Sequence, residues 1–311
     1  MPQAFAYLPL RRRLLLTGAG LLAGSLSGYA LPPSQSEKSA PTLPLLQADL
    51  REQLAHFEAS HGVAVGLSVR DGAGKVLFES RSRERFALTS TVKALLCAMV
   101  YDKGLEKEPH ALGPADPAGH APVLGKSAPA PLLTLQEACR AALSVSDNRA
   151  ANFVFAHTGG PKTLTAWLRA KSDSCTRSDR TEAVLNDWAP GEWLDTTTPS
   201  NASLTWKRLD TTLTTKARGL WLANLSSMAL PGPVASHLCT GWTVFARTGA
   251  GSGEKAATRA LQAILVNAKS ECFYLALHLV APAGTSLPAR EALLGEVFGH
   301  VVEMLEKREA A

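Results

Sequence analysis

Leu88-Thr89-Ser90-Thr91-Val92-Lys93-Ala94-Leu95-Leu96-Cys97-Ala98-Met99-Val100 runs from a polar opening into a helix-forming, largely apolar stretch. Hydroxyl residues ahead of such a stretch mark a helix start. Ser90 is therefore expected at a helix N-terminus, with Lys93 one turn on and on the same face. A serine hydroxyl is a poor nucleophile until a base takes its proton, and a desolvated lysine near positive dipoles can shed its own proton to become that base. The helix N-terminus adds a positive end for an oxyanion formed on attack. Alone, the pattern also describes an N-cap serine and a solvated lysine, and a Ser-x-x-Lys match arises about once by chance in a chain of this length.

Three further elements follow in order. Ser146-Asp147-Asn148 brings a second serine beside an amide. The polar, loop-like stretch at residues 177–187 places Glu182 four residues from Asn186, a carboxylate and an amide able to hold one water between them. Arg247-Thr248-Gly249 ends the β-prone run at residues 242–246 and is expected to open into a glycine-rich turn. The set resembles the class A serine β-lactamases, whose motifs are Ser-x-x-Lys, Ser-Asp-Asn and Lys-Thr-Gly with an additional glutamate. The resemblance extends through Thr134-Leu135-Gln136-Glu137, Ala150-Ala151-Asn152, Gly159-Gly160-Pro161-Lys162 and Asp195-Thr196-Thr197-Thr198-Pro199, nearly the whole chain after its leader.

What the resemblance implies is carried over position by position. Ser90 would be the nucleophile, Lys93 its proton-relay partner, and Ser146 the residue that passes a proton to the leaving nitrogen. Glu182 and Asn186 would hold the water that releases the acyl-enzyme, and Asn148 would bind the substrate's side-chain amide. The backbone amides of Ser90 and Ala250 would form the oxyanion hole, while Arg247 and Thr248 would meet the substrate carboxylate, with Arg259 as a second carboxylate-binding arginine. Arg180 and Asp195 would close the glutamate loop as an ion pair, and Asp147 would be structural. The resemblance also implies a disulfide between Cys97 and Cys139, the alternative being two buried thiols; Cys175, Cys239 and Cys272 have no implied partner. The chain departs from the family at Ala183, where proline is common, and at Arg247 for lysine, a change found in a carbenicillin-hydrolysing branch. No aromatic wall residue is evident between residues 114 and 129, where His120 is the candidate ring.

The 311 residues, 46% hydrophobic and 19% charged, belong to a folded, enzyme-sized protein. Residues 1–30 read as an export signal, with Arg11-Arg12-Arg13 before an apolar run and Gly28-Tyr29-Ala30 as a cleavage site. Either a twin-arginine or a general secretory route fits these residues, and both lead to the periplasm or outside the cell. Removing them lowers the formal charge from +5 to +2, which excludes a nucleic-acid reading. The apolar run is too short to span a membrane. The eight histidines show no metal-ligand spacing and no cysteine cluster accompanies them, so neither a metal nor another cofactor is expected. The resemblance implies a small β-lactam as the partner, and a monomer is expected.

Strand-like stretches at both ends around a helical middle predict an α+β fold in two domains, with an inserted all-α domain, and the resemblance sharpens the first domain to a five-stranded antiparallel sheet flanked by helices. Residues 31–44 would be a spacer, residues 45–84 and 232–308 a discontinuous sheet domain, and residues 85–231 the helical domain, with residues 109–131 a long surface connection. The functional expectation is hydrolysis of penicillins, with early cephalosporins as a further class, through a serine acyl-enzyme that confers antibiotic resistance. A penicillin-binding D-Ala-D-Ala peptidase or transpeptidase stays open, as does a non-catalytic sensor. Glu182 with Asn186 weighs against the first, and the filled catalytic positions weigh against the second.

Overall fold

The structure, a computed structural model, describes residues 41–114, 119–126 and 132–309. The export signal and most of the spacer lie outside them. In chain order the elements are α1 (Leu43–His61), β1 (Ala64–Asp71), β2 (Val76–Ser80), β3 (Phe86–Ala87), α2 (Val92–Asp102), β4 (Pro109–Ala111), β5 (Leu132–Thr134), α3 (Leu135–Ser144), α4 (Asn148–Thr158) and α5 (Gly160–Ala170). There follow β6 (Thr196–Thr197), α6 (Pro199–Thr212), α7 (Thr215–Ser226), α8 (Gly232–Ala235), β7 (Thr243–Ser252), β8 (Ala256–Val266), β9 (Cys272–Pro282) and α9 (Leu287–Glu309).

The sheet runs β2-β1-β9-β8-β7 with antiparallel neighbours. Strand period sends alternate side chains to opposite faces, and β8 shows the consequence. Leu261, Ala263 and Leu265 pack with Leu50, Leu54 and Phe57 of α1 and Val297, Phe298 and Val301 of α9, whereas Ile264 joins the core of the helical half. Gln262, also buried, accepts a hydrogen bond from the Trp206 indole of α6 at 2.7 Å and so ties sheet to helices. The helical half surrounds α2, which is buried on every side from Val92 to Tyr101. That explains its nearly uninterrupted apolar sequence. Trp221 of α7 seals it by donating to the Ala94 carbonyl at 2.9 Å.

Three sequence expectations change. The helix begins at Leu43, so the spacer ends two residues earlier than read. Strand β7 does not stop at Arg247 but continues through the glycines to Ser252, because pairing with β8 (Arg247 with Gln262, Ala250 with Arg259) outweighs the low strand propensity of glycine. The connection at residues 109–131 opens with β4, which pairs antiparallel with β5 immediately after it.

Candidate active site

The site is built where α2 begins. Thr89–Thr91 forms a single 3₁₀ turn that leads into α2, and Thr89 has a positive φ of 46°. Strand β7 passes against this turn at Gly249, where a Cβ would lie 2.0 Å from Thr89 Oγ1 and 2.9 Å from the Ser90 nitrogen. Glycine is required there by space alone. Gly251 plays the same part against the loop of Glu182, since a Cβ there would lie 2.4 Å from the Asn186 carbonyl oxygen.

Lys93 is the hub. Its Nζ lies 3.0 Å from Ser90 Oγ, 2.9 Å from Glu182 Oε1, 2.6 Å from Asn148 Oδ1, and 3.0 and 3.2 Å from Ser146 O and Oγ. An ammonium carries three protons and cannot donate to five oxygens at once, so the contacts share and exchange them. Burial pushes Lys93 down to about 8; Glu182 opposes this and Arg247 adds to it. Roughly one lysine in ten is then neutral at pH 7, against fewer than one in a thousand for a solvated one.

Ser146 precedes α4 with a positive φ of 61°, and its hydroxyl donates to Ser90 Oγ at 3.2 Å. Asp147 shapes this turn: it caps α4 through the Ala150 N–H and accepts the Val123 and Leu124 N–H groups at 2.8 Å. It is fully buried and acts as a scaffold. Arg247 is also buried. Its Nε donates to the Ser90 carbonyl at 3.1 Å, Nη2 donates to Ser146 Oγ, and Nη1 meets the Met228 sulfur at 3.1 Å. Burial lowers its basicity, yet it stays charged at neutral pH. The planar fork expected to face a substrate carboxylate is thus turned behind the two serines.

Glu182 and Asn186 sit on a loop that closes on itself. Asn186 Nδ2 donates to Glu182 Oε2, and Ser90 Oγ donates to Oε1 at 3.4 Å. Asn152 of α4 grips the Glu182 backbone at both ends, with Nδ2 to the carbonyl at 2.8 Å and Oδ1 from the N–H at 2.9 Å. The Glu182–Ala183 peptide is cis. At the base, Asp195 accepts the Asp179 and Arg180 N–H groups at 2.7 and 3.0 Å and pairs with Arg180 Nε at 2.6 Å. Asp195→Ala would leave these part-buried donors unmatched. The expected cost is about 2–3 kcal/mol, read as a lower denaturation midpoint with an unchanged denaturant slope, together with slower turnover.

The cleft beside Ser90 is a cavity of about 360 Å³ lined by Ser90, His120, Ser146, Asn148, Asn186, Thr248, Gly249, Ala250, Arg259 and Leu287. His120 does form part of its wall, its Nε2 lying 3.0 Å from the Val145 carbonyl. Arg259 reaches the cleft, held by Glu291 of α9 at 2.8 Å, and its buried Nε has no hydrogen-bond acceptor among the described residues. A larger cavity of about 420 Å³ lies between the loop and the ends of β1 and β9, but no serine, cysteine or lysine lines it. Among the described residues no group of His, Cys, Asp and Glu is placed to hold a metal ion. Motif reading thus missed Met228, Leu287 and Glu291, which are fixed by tertiary contact. Asn152 was quoted within Ala150-Ala151-Asn152, but without a role.

The implied disulfide is corrected. Cys97 and Cys139 are buried free thiols, with Cys97 Sγ turned to the Cys139 carbonyl at 3.9 Å. Burial raises the Cys139 thiol well above its ordinary range. Cys175, Cys239 and Cys272 are free as well.

The sequence model of the β-lactamase enzyme family matches residues 49–297. The chromosome-encoded β-lactamase of Vibrio parahaemolyticus superposes with a TM-score of 0.76 at 30% identity, covering 83% of this chain and 99% of that one. A variant of the last common ancestor of Gram-negative bacterial class A β-lactamases superposes with a TM-score of 0.73 at 31% identity, covering 83% and 98%. A match that spans most of the sequence, together with these folds, means that the chain belongs to the β-lactamase enzyme family as a class A serine β-lactamase, a hydrolase acting on β-lactams.

Proposed function

We propose that the enzyme hydrolyses penicillins, with early cephalosporins as a second class, through a covalent acyl-enzyme on Ser90. Ser90 attacks the β-lactam carbonyl and forms an ester as the ring amide breaks; Lys93 takes and relays its proton, and Ser146 delivers a proton to the departing nitrogen. The amides of Ser90 and Ala250 receive the oxyanion, and Asn148 meets the acyl side chain. Water held by Glu182 and Asn186 then cleaves the ester. The observation that carries this reading is the placement of the Glu182 carboxylate 2.9 Å from Lys93 Nζ and 3.4 Å from Ser90 Oγ, with Asn186 on its other oxygen. A peptidase trapped by penicillin has no use for a water-holding pair at that point. Incubation with benzylpenicillin and a chromogenic cephalosporin, following turnover and intact mass together, tests the reading. Sustained hydrolysis supports it, whereas a stable adduct without turnover favours the penicillin-binding peptidase.

For the substrate carboxylate we assign Thr248 and Arg259, which line the cleft, with Arg247 supplying positive potential from behind and orienting Ser146. Arg247→Ala is expected to cost at least ~2 kcal/mol in kcat/KM, by loss of charge-assisted bonds. Arg247→Lys costs less, because a cation still reaches Ser146. Carbenicillin, which carries a second carboxylate, should be turned over nearly as well as benzylpenicillin. Steady-state kinetics on the two substrates decides both points, and an unchanged Arg247→Ala enzyme would remove that residue from the site. We further propose periplasmic or secreted action after removal of residues 1–30, by the twin-arginine or general secretory route.

A further inference from the structure

Away from the cleft, the base of the Glu182 loop and helix α5 enclose a recess of about 250 Å³ lined by Lys162, Thr165, Arg169, Arg177, Ser178 and Asp179. Lys162, Thr165 and Arg169 are three and seven residues apart and share one face of α5. The other three are consecutive loop residues. Thr165 Oγ1 bridges the two sides, accepting the Ser178 N–H and donating to the Ser178 carbonyl, each at 2.9 Å.

The charges do not balance within the protein. Asp179, the recess's carboxylate, is consumed by Arg177, whose Nε and Nη2 reach it at 2.8 and 2.6 Å, and by the Asp195 N–H at 2.9 Å. Arg169 directs Nη1 to the Asp173 and Thr176 carbonyls and lies 3.8 Å from the Asp173 carboxylate. That carboxylate is already taken up by the Cys175 and Thr176 N–H groups, Asn201 and Thr205. Lys162 has no acceptor among the described residues. At the floor, Ser178 is 1% exposed, and its hydroxyl has no hydrogen-bond partner among the described residues. A buried polar group without a partner is costly and rare, and here it lines a recess where two cations lack full compensation.

We propose that this recess is a second binding site, for a small phosphate-type oxyanion bearing two or more negative charges. Lys162 and Arg169 supply charge-assisted donors, the Arg177 Nη1 edge a third, and the Ser178 hydroxyl a neutral donor from below. A bound oxyanion bridges α5 to residues 177–179, and so braces the loop that carries Glu182 from outside the catalytic cleft. The assignment does not depend on which β-lactams the enzyme hydrolyses.

Inorganic pyrophosphate is the probe, titrated into the full protein at constant ionic strength set with chloride. Calorimetry and ³¹P line broadening report binding, and the melting temperature reports the brace. Saturable millimolar or tighter binding with a rise in Tm is expected. Lys162→Gln, which removes an exposed side chain with no internal partner, should weaken it about tenfold, and Ser178→Ala several-fold. Lys75→Gln, an equal charge change on the β1–β2 turn, should leave it unaltered. A parallel arm with phosphatidylglycerol vesicles separates the sources: co-sedimentation abolished by Lys162→Gln assigns the phosphate to a lipid headgroup rather than a free anion. Absence of saturation in both arms, or equal weakening by Lys75→Gln and Lys162→Gln, overturns the site.

Discussion

Ser90→Ala should show no burst, no penicilloyl adduct by intact mass, and a fall in kcat/KM for benzylpenicillin of at least ~10⁴-fold. The side chain removed is the one whose oxygen lies 3.0 Å from Lys93 Nζ and 3.2 Å from Ser146 Oγ, at the entry to α2. Among the described residues, the only other hydroxyl within reach of that lysine is Ser146 Oγ, at 3.2 Å. It cannot substitute, since its oxygen already accepts from the Arg247 guanidinium and it stands outside the N-terminal turn of α2. The variant should fold, because the deleted hydroxyl sits beside an open cleft rather than in a packed core. An adduct formed by the alanine variant would show that another residue is the nucleophile.

How much of this was legible beforehand depended on whether the information was local. Ser90 with Lys93, and Glu182 with Asn186, are each fixed by one turn of chain, so their meeting follows from spacing. The Arg180–Asp195 pair was also readable, since both ends of a loop must be anchored somewhere. Arg247 shows the limit. Its residue type and position suggested an open fork, but its direction is set by the Ser90 carbonyl, Ser146 and Met228, elements distant in sequence whose approach only the fold decides. The continuation of β7 through Gly249 and Gly251 was hidden for a related reason. Glycine reads as a turn until one sees that Thr89 and the Asn186 carbonyl leave no room for any side chain. Arg259 became interpretable only when α9 supplied Glu291 as its partner.

Glu182→Gln separates the two halves of the reaction. Glutamine keeps the shape and the hydrogen bonds to the Asn152 side chain, which are made by the Glu182 backbone, but it cannot accept a proton. Removing a positioned general base typically costs 10²–10⁴-fold, and deacylation is expected to slow by ~10³-fold, with the penicilloyl ester on Ser90 accumulating in the mass spectrum. Acylation should persist, because Lys93 remains 3.0 Å from Ser90 Oγ. Its dependence on pH follows from the direction of the lysine's shift. Burial already holds Lys93 at about 8, and the base is the neutral amine, so the single-turnover acylation rate of Glu182→Gln should climb as pH rises through the lysine's range and level off above it. Replacing Glu182 also removes the carboxylate that favours the ammonium, which moves that midpoint downward. Rapid-quench measurement of acylation between pH 6 and 10, paired with intact-mass decay of the adduct, reads both effects. Equal loss of the two steps with no adduct at any pH would mean that the first proton also goes to Glu182, and that the lysine serves as a charge rather than a base.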